Sequence, residues 1–404
     1  MDNPIVAFIG PSSVGKSLLA GALVNQSSQS ASASNVCIGT PSERYARIYP
    51  SPSMYSERLV SITHRLPREL ETGISETASY HHLVSSRCSL ELVVTAGARK
   101  LWKWSDYALT DADVAAVVVR PDTSSLAVED LLEPLFLALG HGIESMAVIL
   151  NLNSNTSQSK IAETELLIKE DLHRVFRDVE TTVPILRVVF NDQPSLLALE
   201  RDLMALRYPP RNSSEPPFLC VNGVFQKEDF VVIEGKLRVG TVNRGDRLVL
   251  MPAGLELTIV TVRNSKGEEK ERASAGELIA LRFNGISKSH ISAGMVLVGD
   301  PSVGISTRRI RAQVSFVNNK YPIKVGFSPV LSLLSCQVHG NITEIHGDVT
   351  ELVLGSTAEI TISLQKTVFT APYSVTSPIR GLGRIVLRQE NVVIGIGVVR
   401  AVLD

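Results

Sequence analysis

The sequence predicts an α/β domain followed by two antiparallel β-barrel domains. Three observations carry that reading. Strands and helices alternate through the first half of the chain. The composition then breaks at Pro209–Pro217, where PPRNSSEPP has the make-up of a semi-rigid linker. Beyond it the helical period stops, and short apolar runs follow at intervals of about ten residues with glycines between them.

In the first half, Pro4–Ile9 is an apolar run ending at a glycine, and Lys16–Val24 is helical. Leu90–Val94, Val114–Val119, Met146–Leu150 and Pro184–Phe190 supply four more buried strands. Leu126–Leu139 has helical length. Lys160–Glu180 is amphipathic, with Ile161, Ile168, Leu172, Val175, Phe176 and Val179 at helical spacing. Pro194–Leu206 closes the domain as a helix with proline in its first turn. Such strands imply a parallel sheet covered on both faces. Two segments interrupt the pattern. Gln26–Asn35 (QSSQSASASN) is too small and polar to pack and reads as a flexible loop. Arg44–Gly73 holds the close prolines Pro50 and Pro52 without a steady period and reads as a mobile surface region. After the linker, apolar runs extend from Phe230–Ile233 to Val392–Val402. Their span is long for one barrel, so two are expected, dividing near Asp300–Gly304. The expected domains are 1–208, 218–302 and 303–404.

Composition excludes several classes. The chain has 404 residues and a net charge of −1, which argues against a basic nucleic-acid coat or an acidic tail. No stretch approaches the ~18 apolar residues of a membrane span, and the N-terminal apolar run has no basic flank of the kind a secretory signal carries. The four cysteines lack C-x-x-C spacing, so a reducing, cytoplasmic setting is expected. The final 102 residues hold ten Lys/Arg against six Asp/Glu, an excess of +4.

One motif carries chemistry. Gly10-Pro-Ser-Ser-Val-Gly-Lys-Ser17 matches G-x-x-x-x-G-K-S/T between a strand and a helix, the context a phosphate-binding loop requires. Gly10 and Gly15 let the backbone form a nest of amides, to which Ser13, Val14, Gly15, Lys16, Ser17 and Leu18 contribute. Lys16 offers a point charge to the terminal phosphates, and Ser17 offers a hydroxyl to Mg²⁺ at the positive end of the helix. Other features read as structural. His81–His82 has no partner at metal-ligand spacing. Asp111 and Asp113 suit local turn or cap bonding. KGEEKER (Lys266–Arg272) reads as a solvated hairpin tip. Trp102 and Trp104 read as a helix anchor on the sheet rather than a recognition surface.

The chain also resembles the translational GTPases, most closely the branch of elongation factor 1-alpha, the eukaryotic release-factor GTPase and the Pelota-partner rescue GTPase. The resemblance rests on the phosphate loop and on three barrel stretches in the family's order: GKLRVGTVNRGDRLVLMP (Gly235–Pro252), ASAGELIALRFNGI (Ala273–Ile286) and LGRIVLRQENVVIGIGVV (Leu382–Val399). It implies a P-loop GTPase-like domain before the two barrels, but a degenerate one. The Asp-x-x-Gly that holds the Mg²⁺ shell and the γ-phosphate is matched by Val94-Thr95-Ala96-Gly97, and the water-positioning histidine by Ala98. The guanine-reading Asn-Lys-x-Asp is matched by Asn151-Leu152-Asn153-Ser154, and Ser75 is the counterpart of the switch threonine that faces Mg²⁺. Ser13 stands where the elongation-factor branch carries an acidic residue.

Loss of the metal-shell and water-orienting groups removes several orders of magnitude from an already slow rate. Loss of the base-reading carboxylate costs roughly 1.5–3 kcal/mol, and with it most guanine selectivity. The resemblance therefore implies GTP or GDP, weakly held Mg²⁺ and weak or absent hydrolysis. It implies ribosomes as a partner, with a tRNA or a tRNA-mimicking, Pelota-like or exosome-associated factor, and no membrane. Two alternatives stand beside a delivery factor: a pseudo-GTPase scaffold in ribosome rescue or RNA surveillance, and a divergent selenocysteine-type elongation factor.

Overall fold

The computed structural model describes residues 4–12, 14–30, 78–84, 89–97, 101, 103–121, 128–175, 183–227, 229–318 and 321–403. These form two compact units, one spanning Asn3–Ala138 and Ile143–Pro209, the other Leu139–Gly142 and Pro210–Asp404. Ser13, Arg44–Gly73, Ser75, Ala98 and Trp102 lie outside the described residues.

The first unit contains β1 (Ile5–Ile9), α1 (Lys16–Ser30), β2 (Ser79–Val84), β3 (Ser89–Val94), α2 (Lys103–Asp111) and β4 (Val114–Val119), followed by α3 (Val128–Gly140), β5 (Ser145–Leu152), α4 (Gln158–Val175), β6 (Ile185–Val189) and α5 (Gln193–Met204). The strands form one sheet in the order β2-β3-β1-β4-β5-β6. Every residue of β1 and β4 is buried. Burial without alternation means that both sheet faces are covered, as the apolar runs predict. Val6 and Phe8 share a core with Leu19 and Leu23 of α1 and with Leu196, Leu199 and Leu203 of α5. Asp192 caps α5 by accepting a bond from the Ser195 amide (2.9 Å), with Pro194 in the first turn.

Three details differ from the sequence reading. The sheet has a sixth strand, β2, which pairs antiparallel with β3 at the sheet edge. Its sequence SYHHLV is too polar to stand out as an apolar run. Within it His82 Nε2 pairs with the Glu91 carboxylate at 3.4 Å. Second, α1 continues through Ser30, so the expected loop does not start at Gln26. Gln, Ser and Ala cost little within an existing helix, and no Gly or Pro stops its propagation.

Third, Asp111 and Asp113 make long-range bonds. Asp111 accepts from the Tyr80 hydroxyl (2.9 Å), and Asp113 accepts from the Ile5 amide (2.9 Å) while its own amide donates to the Ile5 carbonyl (2.8 Å). Asp113 thus fixes the start of β1 beside β4. Trp104 is half-buried and meets Tyr107 edge-on with ring centroids 5.8 Å apart, both within α2.

The second unit opens with β7 (Phe218–Cys220), β8 (Gly223–Lys227), β9 (Phe230–Val239), β10 (Thr241–Asn243), β11 (Arg247–Met251), β12 (Leu255–Thr258), β13 (Thr261–Asn264), β14 (Glu269–Lys270), β15 (Arg272–Ser274), β16 (Leu278–Asn284) and β17 (Val296–Val298). These make a curled nine-stranded sheet and the short β10–β15 ribbon. A 3₁₀ turn, Pro301–Val303, capped by Asp300, follows β17. There follow β18 (Ile305–Phe316), β19 (Val330–Leu333), β20 (Cys336–Ile345), β21 (Thr357–Thr370), β22 (Arg384–Gln389) and β23 (Val392–Leu403). They close into a six-stranded barrel in the order β18-β21-β20-β19-β22-β23, around Ile310, Val314, Leu331, Ile342, Ile362 and Ile385 among others. The apolar run Leu257–Val262 is split between β12 and β13, and the Asn264 side chain ties the KGEEKER turn by accepting from the Lys266 and Glu268 amides. Among the described residues, no helix is long and apolar enough to cross a membrane.

Asp113 supplies a direct test of the first unit. Asp113→Ala leaves the buried Ile5 amide without its acceptor and should cost about 1–3 kcal/mol. Asp113→Asn keeps a carbonyl oxygen there and should retain most of that stability. Urea titration of the two variants against the parent chain checks the order.

Candidate functional site

The phosphate loop joins β1 to α1. Fully buried β1 delivers Gly10 beside β4, where φ is +134° and an added Cβ would lie 2.7 Å from the Val118 carbonyl oxygen. Gly15, at φ +89°, turns the chain into the helix, whose first turn closes with a 2.9 Å bond from the Leu19 amide to the Gly15 carbonyl. Glycine is required at both positions.

Lys16 lies inside this loop and is 5% exposed. Its ammonium donates to the carbonyl oxygens of Gly10 (2.9 Å) and Pro11 (2.7 Å). Loss of water around the charge pushes its pKa down from the ordinary 10.5 to about 7. Gly97, at the end of β3, closes over the group: a Cβ there would sit 2.6 Å from Lys16 Nζ and 2.6 Å from the Ser12 amide nitrogen. Thr95 holds this strand end, with its amide (3.1 Å) and its hydroxyl (3.2 Å) both bonding to the Phe8 carbonyl.

Asn151, at the C-terminal end of β5, braces the loop from the other side. Its Nδ2 donates to the Val14 carbonyl (3.0 Å), and its buried Oδ1 has no hydrogen-bond partner among the described residues. A Cβ on Gly15 would fall 2.4 Å from that Nδ2. Asn153 and Ser154 are exposed in the following turn, closed by the Asn153 amide on Thr156 Oγ1 (3.1 Å).

Gly10, Val14, Gly15, Lys16, Gly97 and Asn151 are thus brought together by direct contact. Ser17 and Leu18 sit half-buried in the first turn of α1. Ser13 and Ser75, the latter proposed from sequence for metal, lie outside the described residues. The site also uses Pro11, Ser12 and Thr95 in roles that sequence reasoning missed. Pro11 and Ser12 act through backbone atoms, which leave no side-chain signal. The Thr95 hydroxyl could be found only after β1 and β3 were paired.

The arrangement fits a polyphosphate better than a metal. An amide nest, a helix N-terminus and an ammonium match phosphate oxygens. A terminal phosphate would draw Lys16 away from its two carbonyls and displace Gly97. For Mg²⁺, the residue that the sequence resemblance matches to the family's carboxylate is Val94, fully buried in the core that holds Phe8. Ser17 is the remaining predicted ligand, and no group of three or more His, Cys, Asp or Glu suited to a metal occurs among the described residues.

Residues 309–400 match the family described as GTP-eEF1A C-terminal domain-like. The chain is 31% identical over 129 residues to the eukaryotic peptide chain release factor GTP-binding subunit of Kluyveromyces lactis, covering 32% of this chain and 18% of that protein. It is 23% identical over 367 residues to elongation factor 1-alpha of Desulfurococcus mucosus, covering 82% and 83% of the two chains. The Ski7 GTPase-like domain of S. cerevisiae, solved bound to GTP, superposes with a TM-score of 0.75 at 14% identity over 99% of this chain and 97% of that one. The chain thus matches less than a fifth of the length of the release-factor subunit, and the likeness to the solved structure concerns the fold.

Buried Lys16 makes stability depend on pH with a definite sign. Between about pH 7 and 10.5 the unfolded chain keeps a proton that folded Lys16 has released. The unfolded state binds more protons, so the lysine's contribution rises with pH across that window, at up to about 1.4 kcal/mol per pH unit, and is flat below it. Urea midpoints measured from about pH 6 to about pH 10 should rise more steeply for the parent chain than for Lys16→Met. Parallel curves would show that the ammonium is solvated.

Proposed function

We propose that this chain, a divergent relative of the translational GTPases, is a translation-factor-like protein that binds GTP or GDP without efficient hydrolysis. It docks a tRNA or a tRNA-mimicking factor at the ribosome. The proposal includes a division into a P-loop domain at 1–208, a first β-module at 218–302 and a barrel at 303–404. One observation carries it. The phosphate-gripping loop is built and braced by Asn151, whereas the position of the metal-shell carboxylate is filled by core residue Val94. Grip and cleavage have been separated.

On this reading, nucleotide binding opens the Gly97 contact and exchanges the two loop carbonyls on Lys16 for phosphate oxygens. The bound anion favours the charged lysine, so binding takes up a proton, and affinity falls as pH rises above about 7. Ser17 would be the ligand that the described residues offer to a bound Mg²⁺, which would neutralise phosphate charge. The burial of Val94 also favours a second reading, a scaffold in rescue or RNA surveillance in which nucleotide is a static ligand. The Ski7 relative, described as GTPase-like and bound to GTP, supports it.

The test is equilibrium binding of fluorescent GTP and ATP analogues, with phosphate release assayed with and without ribosomes. Lys16→Ala should weaken both nucleotides by at least about tenfold. GTP should exceed ATP by no more than about tenfold. Phosphate release should stay at the buffer rate. Ribosome-stimulated turnover would exclude the static-ligand reading, and indifference of binding to Lys16→Ala would exclude a nucleotide role.

A further inference from the structure

Two asparagines of the chain precede a glycine, in Asn222-Gly223 and Asn284-Gly285. The sequence Asn-Gly has a chemistry of its own, because the amide nitrogen after an asparagine can attack that asparagine's side chain. Glycine has no Cβ to obstruct the approach and lets the backbone bend towards it. Asparagine is a thermolabile residue for this reason, and the local stability of the fold decides which copy reacts.

The two sites differ in that stability. Asn222 is half-buried, and its amide donates to the Glu234 carbonyl at 2.9 Å. Gly223 opens β8 and pairs with Glu234 in the ladder to β9. Phe225 and Glu234 crowd it, so that an added Cβ would lie 3.1 Å from the first and 3.3 Å from the second. Swinging the Gly223 nitrogen onto the Asn222 side chain would pull β8 from β9. Asn284, by contrast, is exposed as the last residue of β16, opposite Phe230, the first residue of β9. Gly285 lies beyond the strand and is exposed, with φ at +72° and, its chain neighbours aside, nothing within 4 Å of where a Cβ would stand. A strand end and the turn after it open at far lower cost than a paired strand.

We propose that Asn284-Gly285 is a site of spontaneous deamidation in the folded protein, whereas the sheet protects Asn222-Gly223. The Gly285 nitrogen bonds to Asn284 Cγ and gives up its proton. The bond from Cγ to the side-chain nitrogen breaks, and ammonia leaves. Water then opens the cyclic imide at either of its carbonyls, giving aspartate or isoaspartate, with no electron transferred. Both products add a negative charge. Positions 282 and 284 share a face of β16, so the new carboxylate stands on the face where the Arg282 guanidinium covers the Phe230 ring at 4.0 Å. Isoaspartate also inserts a methylene into the main chain, just ahead of the 3₁₀ turn Lys288–His290 that Ser287 caps. The proposal is independent of the nucleotide site.

The full chain is held in mildly alkaline buffer, sampled over weeks, and mapped by mass spectrometry after tryptic digestion. Cleavage after Arg211, Lys227, Arg282 and Lys288 puts the two pairs in separate peptides, 212–227 and 283–288. Fragment ions assign each conversion to its asparagine, and enzymatic methylation detects isoaspartate. Conversion at Asn284 should run at least about tenfold faster than at Asn222 and yield both products. In urea, which frees both backbones, the two rates should converge. Asn284→Gln should leave peptide 283–288 unchanged over the same period. Equal rates at the two asparagines of the folded chain would overturn the proposal, as would a difference that persists in urea. Aspartate without isoaspartate would overturn the cyclic route.

Discussion

An ammonium buried inside a loop of backbone is the constraint around which the first unit is arranged. A cation removed from water must be bonded or neutralised. Lys16 meets that demand in two ways, by bonding to the Gly10 and Pro11 carbonyls and by a proton affinity lowered into the neutral range. Both depend on where the loop lies. Gly10 fits only because it has no Cβ against β4, Asp113 pins the start of β1, and Asn151 holds the middle of the loop through Val14. The sheet order, with β1 between β3 and β4, is what lets Gly97 close the arrangement from above.

Much of this was legible in the sequence, for reasons that also explain what was not. Runs such as IVAFI and VAAVVV declare strands buried on both faces because no polar residue interrupts them. The phosphate loop declares itself because its glycines and lysine answer to backbone geometry at fixed spacing. Edge strand β2 escaped because half of SYHHLV is polar, and the Tyr80 partner Asp111 is distant in sequence. Asp113 read as a local cap for the same reason: its bond to Ile5 spans 108 positions. Asn151 stood out in the sequence as a candidate base-contacting residue but not as a brace, since nothing in Asn-Leu-Asn-Ser points to the Val14 carbonyl.

On the proposed reading, Val94 replaces a metal-shell carboxylate in a way that suits the fold. The end of β3 lies in a core with Phe8 and Leu92. An aspartate there without a metal would be a buried charge with no compensating partner, a costly state. A valine contributes about 1.5–3 kcal/mol of burial instead. Once the metal shell no longer needs the carboxylate, stability favours the apolar residue. The segment after β3 packs against the loop that follows β1 through Gly97.

The same reasoning separates the surfaces of the second unit. One end of the barrel gives its apolar residues to a buried contact with the curled sheet, where their exclusion from water stabilises the unit itself. The residues of the opposite end gain nothing for this chain by remaining exposed, and Val353 and Leu354 stand side by side next to a buried Leu352 that already anchors the connection. Polar side chains at those two positions would leave that anchor intact and raise solubility.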